Sequence, residues 1–400
     1  MVTSEATPFI KTGGLADVLG ALPPALAKIG EDVCVVMPRY GSVNVSGDER
    51  IWDSMHLTVG PHAFTASIDE VRREGVRYLF IDCPPLYGRS GVYNESGNDY
   101  ADNHVRFALL NQAALEIGRR IFTPNIFHVH DWPAGLLAPY LREMYAADPV
   151  LSGAKCVMTI HNLGYQGLFP STYLSDLELS SLYHLEGLEF WGQINFLKAG
   201  IVWSDAVTTV SPTYAREIQT PEHGFGLDGV LRARASKITG ILNGVDYAEW
   251  NPEHDPHIRH HYSVRNLSGK RFAKRVLLKE IGLPLDLKRP LLGIVSRFAD
   301  QKGFDLVAAI ADQLAAEDLA LVILGSGDGR FEHLFRELSL RYPDKIAAHI
   351  GYDNALAHRI EAGVDMFLMP SRYEPCGLSR SEEHTSELQS LAYLVCRLLL

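Results

Sequence analysis

Short apolar, β-branched runs alternate with amphipathic segments from one end of this chain to the other, a pattern that folds into parallel sheets covered by helices. The runs predict strands over residues 33–37, 78–82, 126–128, 157–160, 206–210, 291–295, 319–324 and 365–369. Helices are predicted between them. Over 16–29 the periodicity places Val18, Leu22, Leu26 and Ile29 on one face, while Pro23 and Pro24 predict a kink or an interruption. Segments 270–280, 303–314 and 331–338 are read as helical too.

Around Asn243-Gly244-Val245-Asp246 and Trp250-Asn251-Pro252 the periodicity lapses into turn residues, and a polar, His-rich stretch follows. A domain boundary is placed there. The expected architecture is α/β, with two Rossmann-like doubly wound domains, 1–242 and 243–379, facing a cleft; such folds bind ligands at the carboxyl ends of their strands. A chain of 400 residues that is 46% hydrophobic and 21% charged can bury cores of that size, which excludes wholesale disorder. The net charge of −11 argues against nucleic acid or an anionic membrane as partner, because phosphate binding needs a basic face. No run reaches the roughly 18 apolar residues of a membrane helix, and no signal peptide opens the chain, so a cytoplasmic protein is expected. Cys34, Cys83, Cys156, Cys376 and Cys396 are odd in number and lack CxxC spacing, which argues against a disulfide frame or a zinc site. Three of them lie in or beside apolar runs, as buried, inert thiols do.

Several motifs sit where strands end. Lys11-Thr12-Gly13-Gly14-Leu15-Ala16-Asp17 precedes the first helix, so small residues expose backbone N–H groups at a helix N-terminus beside a lysine. That is an anion cradle, or an ordinary loop with a surface lysine. Arg297 and Lys302, in Ser296-Arg297-Phe298 and Gln301-Lys302-Gly303, place two cations after the strand 291–295, where a departing diphosphate would be stabilised; solvated surface cations are the plain alternative. His161-Asn162 emerges at a strand tip, where a histidine either meets a ligand or serves the structure. The strand pattern puts His128 and His130 on one face, followed by Asp131, but no supporting array of carboxylates or cysteines makes this a metal site. Gly325-Ser326-Gly327-Asp328-Gly329 lacks the full GxGxxG pattern and reads equally as a phosphate turn or a tight connection. Glu374, with Cys376 and Gly377, follows the strand 365–369; its carboxylate can accept hydrogen bonds from sugar hydroxyls or simply suit a helix N-terminus.

In order and wording, these motifs resemble the bacterial glycogen synthase and plant starch synthase family of retaining GT-B glycosyltransferases. The resemblance runs from Ser4 to about Ser379 and is carried by SEATPFIKTGGLADVLGALP, HVHDWPAGLLAPYL, TIHNLGYQGLF, TTVSPTYAREIQTPEHGFGLDGVL, GILNGVDYAEWNP, SRFADQKGFDL and PSRYEPCGL. It implies glucose transfer from ADP-glucose to the non-reducing 4-hydroxyl of an α-1,4-glucan with retention of configuration, without a metal or other cofactor. It implies further that Lys11, Gly13 and Gly14 meet the donor, that Asp17 orients their loop, and that His161, with Asn162 beside it, lies near the anomeric carbon. By the same resemblance Asn243 contacts the donor glucose, Arg297 and Lys302 neutralise the leaving diphosphate, and Glu374 grips sugar hydroxyls near Cys376 and Gly377. With retention and no glycosidase-like pair of carboxylates among these residues, the resemblance implies front-side attack, the departing phosphate taking the acceptor proton.

Both ends depart from the family pattern. The chain opens at Met1-Val2-Thr3, so the first strand of the N-terminal sheet is expected to be largely missing. After Ser379 the match stops, and Arg380 to Ser390, RSEEHTSELQS, reads like the in-frame translation of a short-read sequencing adapter. A natural C-terminal helix with Leu388, Leu391, Leu394 and Leu398 on one face is the alternative. An incomplete second domain leads to the expectation of an inactive fragment. A glucan-binding fragment without turnover and a UDP-glucose-dependent GT-B enzyme are the competing functions.

Overall fold

The computed structural model describes residues 1–377 apart from 46, 96 and 248; Leu378, Ser379, the segment from Arg380 onward and Cys396 therefore lie outside the described residues. Contacts divide the chain into two units, Met1–Asn243 and Gly244–Leu400.

The first unit opens with α1 (Gly14–Lys28), β1 (Cys34–Pro38), β2 (Glu49–Val59), β3 (His62–Arg73) and β4 (Val76–Asp82). It continues with α2 (Asn103–Ile117), β5 (Ile126–His130), β6 (Lys155–Ile160), α3 (Phe196–Trp203), β7 (Ala206–Thr209) and β8 (Ile238–Gly240). Strands run in the orders β1-β4-β3-β2 and β8-β7-β6-β5, and Val2 joins the two sets by parallel bridges to Val36 and Val129. At that junction the Val2 amide donates to His128 O and the His130 amide donates to Val2 O.

The expected parallel pairing is joined by an antiparallel edge, β2-β3-β4. The alternation that marks such an edge is present in β2, where Met55, Leu57 and Val59 are buried and His56 and Thr58 exposed. In α1 the interruption expected at its prolines is absent. Pro23 and Pro24 leave the helix continuous from Gly14 to Lys28, and both lie on its buried face with Leu15, Ala16 and Leu19, while Ile29 is 75% exposed. Their rings take the place of the amides that would donate to Leu19 O and Gly20 O, so two bonds of the ladder are missing from the middle of a helix that stays unbroken.

α2 is buried almost all round and carries a fully buried cation, Arg106. Its guanidinium donates to Leu86 O and Val92 O, each at 2.9 Å, and to Asn103 Oδ1 at 2.6 Å, and it lies among the rings of Tyr40, Tyr87, Tyr100 and Phe107.

In the second unit α4 (Ser268–Glu280), β9 (Leu291–Val295), α5 (Phe304–Ala309), α6 (Ala311–Ala316), β10 (Ala320–Gly325), α7 (Gly329–Arg341), β11 (Ile346–Ile350), α8 (Asn354–Gly363) and β12 (Met366–Phe367) form a doubly wound layer structure. The sheet is parallel in the order β11-β10-β9-β12. Alternate residues feed two cores: Leu291, Val322 and Leu324 pack with Leu277 and Ile360, whereas Ile294, Leu321 and Ile323 pack with Phe298, Phe304 and Phe335. The helix expected over 303–314 breaks at Ile310, and the strand expected over 365–369 contracts to two residues.

Cys34, Cys83, Cys156 and Cys376 are free and buried, and burial pushes the Cys156 thiol up to about 12 and that of Cys34 to about 11. Among the described residues no helix is long and apolar enough to cross a membrane.

Candidate active site

The carboxyl ends of the strands collect the singled-out residues of each unit. In the first unit, the loop entering α1 is held from below by an acid the sequence reading passed over. Glu5 is 3% exposed, and its carboxylate accepts from the Thr12 amide, from Thr12 Oγ1 at 2.8 Å, from the Gly13 amide and from Tyr93 OH at 3.1 Å. Burial pushes that carboxyl up, and the four donors pull it back. The cradle seen in the sequence thus already has the Glu5 carboxylate on its Thr12 and Gly13 amides. Lys11 Nζ lies 2.6 Å from Asp17 Oδ1, each side chain about a quarter exposed, so Asp17 orients the lysine across the first turn of α1. Gly13 caps that helix in extended conformation, and nothing would meet a Cβ there.

His161 follows β6 directly. Its backbone amide donates to Asp131 Oδ1 at 2.7 Å, and the Asn162 amide reaches the same oxygen at 3.4 Å. Asp131 takes a left-handed backbone (φ 54°) that bulky residues avoid, which turns its carboxylate under the His161 peptide. Desolvation pushes Asp131 up to about 7, and the nearby Glu5 charge adds to the rise. The same burial holds His128 and His161 down to about 3, so both rings are neutral at physiological pH. His128 and His130 share one face, as their spacing predicts, with ring centroids 4.1 Å apart. Asn162 spends its side-chain oxygen on the Gly164 amide at 3.0 Å, which shapes the turn after His161. Asn243, half-buried, closes the unit just beyond β8.

In the second unit Lys302 and Glu374 come together across 72 residues: Lys302 Nζ lies 2.5 Å from Glu374 Oε1, and Ser371 Oγ donates to the same oxygen at 2.7 Å. They line a small cavity with Ser296 at the end of β9. The loop that carries Glu374 is fastened to the Lys302 turn. The Arg372 amide donates to Gln301 O, Gln301 Nε2 donates to Tyr373 O, and Arg372 pairs with Asp305. Gly303 adopts φ 66°, and a Cβ there would lie 2.1 Å from Pro370 O, so only glycine lets the two loops approach. Arg297 is exposed at the same sheet edge, and Cys376 and Gly377 are buried beyond Glu374. The glycine turn 325–329 is a tight connection. The Gly327 amide donates to Glu332, that of Asp328 to Phe298 O and that of Arg330 to Asp328, while a Cβ on Gly327 would lie 2.3 Å from Phe298 O.

Glu5, Asp131 and Tyr93 are the residues sequence reasoning missed as parts of the site. Glu5 and Asp131 stand inside quoted motifs, but the contacts that give them a role, such as that of Glu5 with a tyrosine 88 residues away, leave no trace in local spacing.

Comparison with known proteins matches residues 1–233 to the starch synthase catalytic domain family and residues 280–392 to the glycosyl transferases group 1 family. The glycogen synthase of Koribacter versatilis is 50% identical over 379 residues, covering 94% of this chain and 78% of its own length. That of Myxococcus xanthus is 49% identical, with 95% of this chain and 80% of the relative covered. Among solved structures, the catalytic domain of starch synthase IV from Arabidopsis thaliana, bound to ADP and acarbose, superposes with a TM-score of 0.88 at 31% identity, covering 96% of this chain and 80% of that one.

Proposed function

The chain belongs to the glycogen and starch synthase family, and from that premise we propose that it transfers glucose from ADP-glucose to the non-reducing 4-hydroxyl of an α-1,4-glucan with retention of configuration. The observation that carries the reading is the Lys302–Glu374 pair at the carboxyl edge of the second sheet, a cation and a carboxylate held 2.5 Å apart beside a small cavity.

Breaking the bond between glucose and diphosphate develops negative charge on the leaving oxygen, and fixed cations stabilise that charge where water is excluded. Lys302 and Arg297 supply it in this reading, which calls on no metal or other cofactor. Glu374, half of whose carboxylate is committed to Lys302 and Ser371, accepts from the glucose hydroxyls with the other half, and the Cys376 and Gly377 peptides complete that wall. The domain expected over 1–242 serves the glucan acceptor and that expected over 243–379 the nucleotide sugar. Lys11, with Gly13 and Gly14, meets the donor, the lysine being aimed by Asp17; His161 and Asn162 lie beside the transferring glucose, and Asn243 contacts it. The departing phosphate takes the acceptor proton on the face from which it leaves. On the same reading we propose a cytoplasmic location.

Incorporation of labelled glucose from ADP-glucose into glycogen tests this, run on the 400-residue chain and on a form extended at both ends along its relatives. Lys302→Ala in the active form is expected to lower kcat by about 10²- to 10³-fold. Undiminished turnover in that variant, or a preference for UDP-glucose, would overturn the assignment. Glycogen binding with no incorporation by either form would favour a glucan-binding role.

A further inference from the structure

Beneath His161 lies a row of polar side chains that the proposed reaction leaves unused. His130 of β5 stands in register with Thr159 of β6, and Thr159 with Thr208 of β7. His128 Nε2 is 2.6 Å from Thr159 Oγ1, which in turn lies 2.6 Å from Thr208 Oγ1. His130 is completely buried; its Nδ1 lies 3.0 Å from Nε2 of His161, and its own Nε2 has no hydrogen-bond partner. Burial keeps both rings of that pair neutral, so one nitrogen donates and the other accepts.

Only two proton placements satisfy a bond between neutral rings. If His161 donated from Nε2, the proton of His130 would sit on its other nitrogen, as a buried N–H without an acceptor. If His130 donates from Nδ1, the atom left bare is a lone pair. Orphaned buried N–H groups are the rarer of the two defects in protein interiors. We propose that His130 is a positioning residue that locks His161 into the Nδ1–H tautomer, so that His161 faces the transferring sugar as a hydrogen-bond donor and not as a base. The consequence for catalysis rests on the function proposed above; the location of the proton does not.

Nitrogen-15 NMR of the 400-residue chain labelled at histidine tests the tautomer, with His161 identified by the signal lost in His161→Gln. The expected spectrum shows His161 protonated at Nδ1 and bare at Nε2, unchanged between pH 6 and pH 8. His130→Leu is expected to scramble that preference. His130→Asn, whose amide nitrogen stands in for Nδ1, is expected to restore it. A wild-type His161 protonated at Nε2, or present as a mixture, overturns the proposal even if the leucine variant does not fold, and so does a preference that His130→Leu leaves intact. In a form that turns over, His130→Leu is expected to lower kcat about tenfold or more with KM for ADP-glucose changed less than about twofold, and His130→Asn to recover most of it. Unchanged kcat in a variant with a scrambled tautomer would overturn the donor role of His161 and leave the tautomer standing.

Discussion

Glu5 shows how much of this site depends on residues that touch no substrate. A carboxylate accepting from the Thr12 amide, the Thr12 hydroxyl, the Gly13 amide and Tyr93 OH holds the Lys11 loop in place. Glutamine in its place has one acceptor oxygen and turns an NH₂ group toward donors, leaving buried groups unsatisfied at a cost of about 2 to 4 kcal/mol. Glu5→Gln is therefore expected to lower the urea midpoint and to raise KM for ADP-glucose, and an unchanged midpoint with unchanged KM would refute the role. Lys302 and Glu374 were legible in the sequence because each follows a strand within a motif, so the fold itself delivers both to one edge. Glu5 and Asp131 were not. Their roles are set by Tyr93, Thr12 and the His161 peptide, and an isolated acid in a loop gives no sign of which distant groups it will meet.

Among the elements, the long apolar runs were readable because a strand buried on both faces must be apolar throughout, as β1, β9 and β10 are. The edge elements were not readable on that criterion. β2 and β3 are half exposed, and β11, with Ala347, Ala348 and His349 at its centre, has little apolar weight. The prolines of α1 misled for a different reason, since two missing hydrogen bonds do not end a helix whose buried face includes Pro23 and Pro24 themselves. The connection between β9 and α5 carries the sharpest demand on residue type. Gly303 combines a left-handed backbone with the approach of Pro370 O, so Gly303→Ala is strained twice over and is expected to destabilise the second unit by about 2 kcal/mol or more. Because that approach brings Glu374 to Lys302, the variant is also expected to lose transfer activity beyond its loss of stability at temperatures where it remains folded. Wild-type kcat in a destabilised Gly303→Ala would show that the loops need not meet.

At the scale of the whole molecule the two units are stabilised by titratable groups of opposite sense, so acid and alkali act on different parts of one chain. In the first unit His128 and His161 have pKa values held near 3, far below the 6.5 of an unfolded histidine, and His130 is lowered as well. A depressed histidine contributes stability above its unfolded pKa that is lost as pH falls toward the folded value, about 2 kcal/mol for each of His128 and His161 at pH 5. Asp131, raised to about 7, works the other way and offsets roughly one imidazole over the same range. In the second unit His358 stacks on Trp250 with ring centroids 3.8 Å apart, and its Nδ1 lies 2.7 Å from Asp255 Oδ2, with Glu249 3.8 Å from its other nitrogen. Those carboxylates outweigh desolvation and raise His358 to about 9. A raised histidine gives its stabilisation in full below pH 6.5 and loses it as pH climbs through 9, about 3 kcal/mol in all. Hydrogen-exchange protection, corrected for intrinsic rates, is therefore expected to fall first in β5 and β6 as pH drops from 7 to 5, and first in α8 as pH rises from 7 to 10. His358→Gln should abolish the alkaline loss while leaving the acid loss as it was, because the groups responsible for the two belong to different cores. Parallel losses in both units at either extreme would mean that net charge, and not these buried rings, governs the pH response.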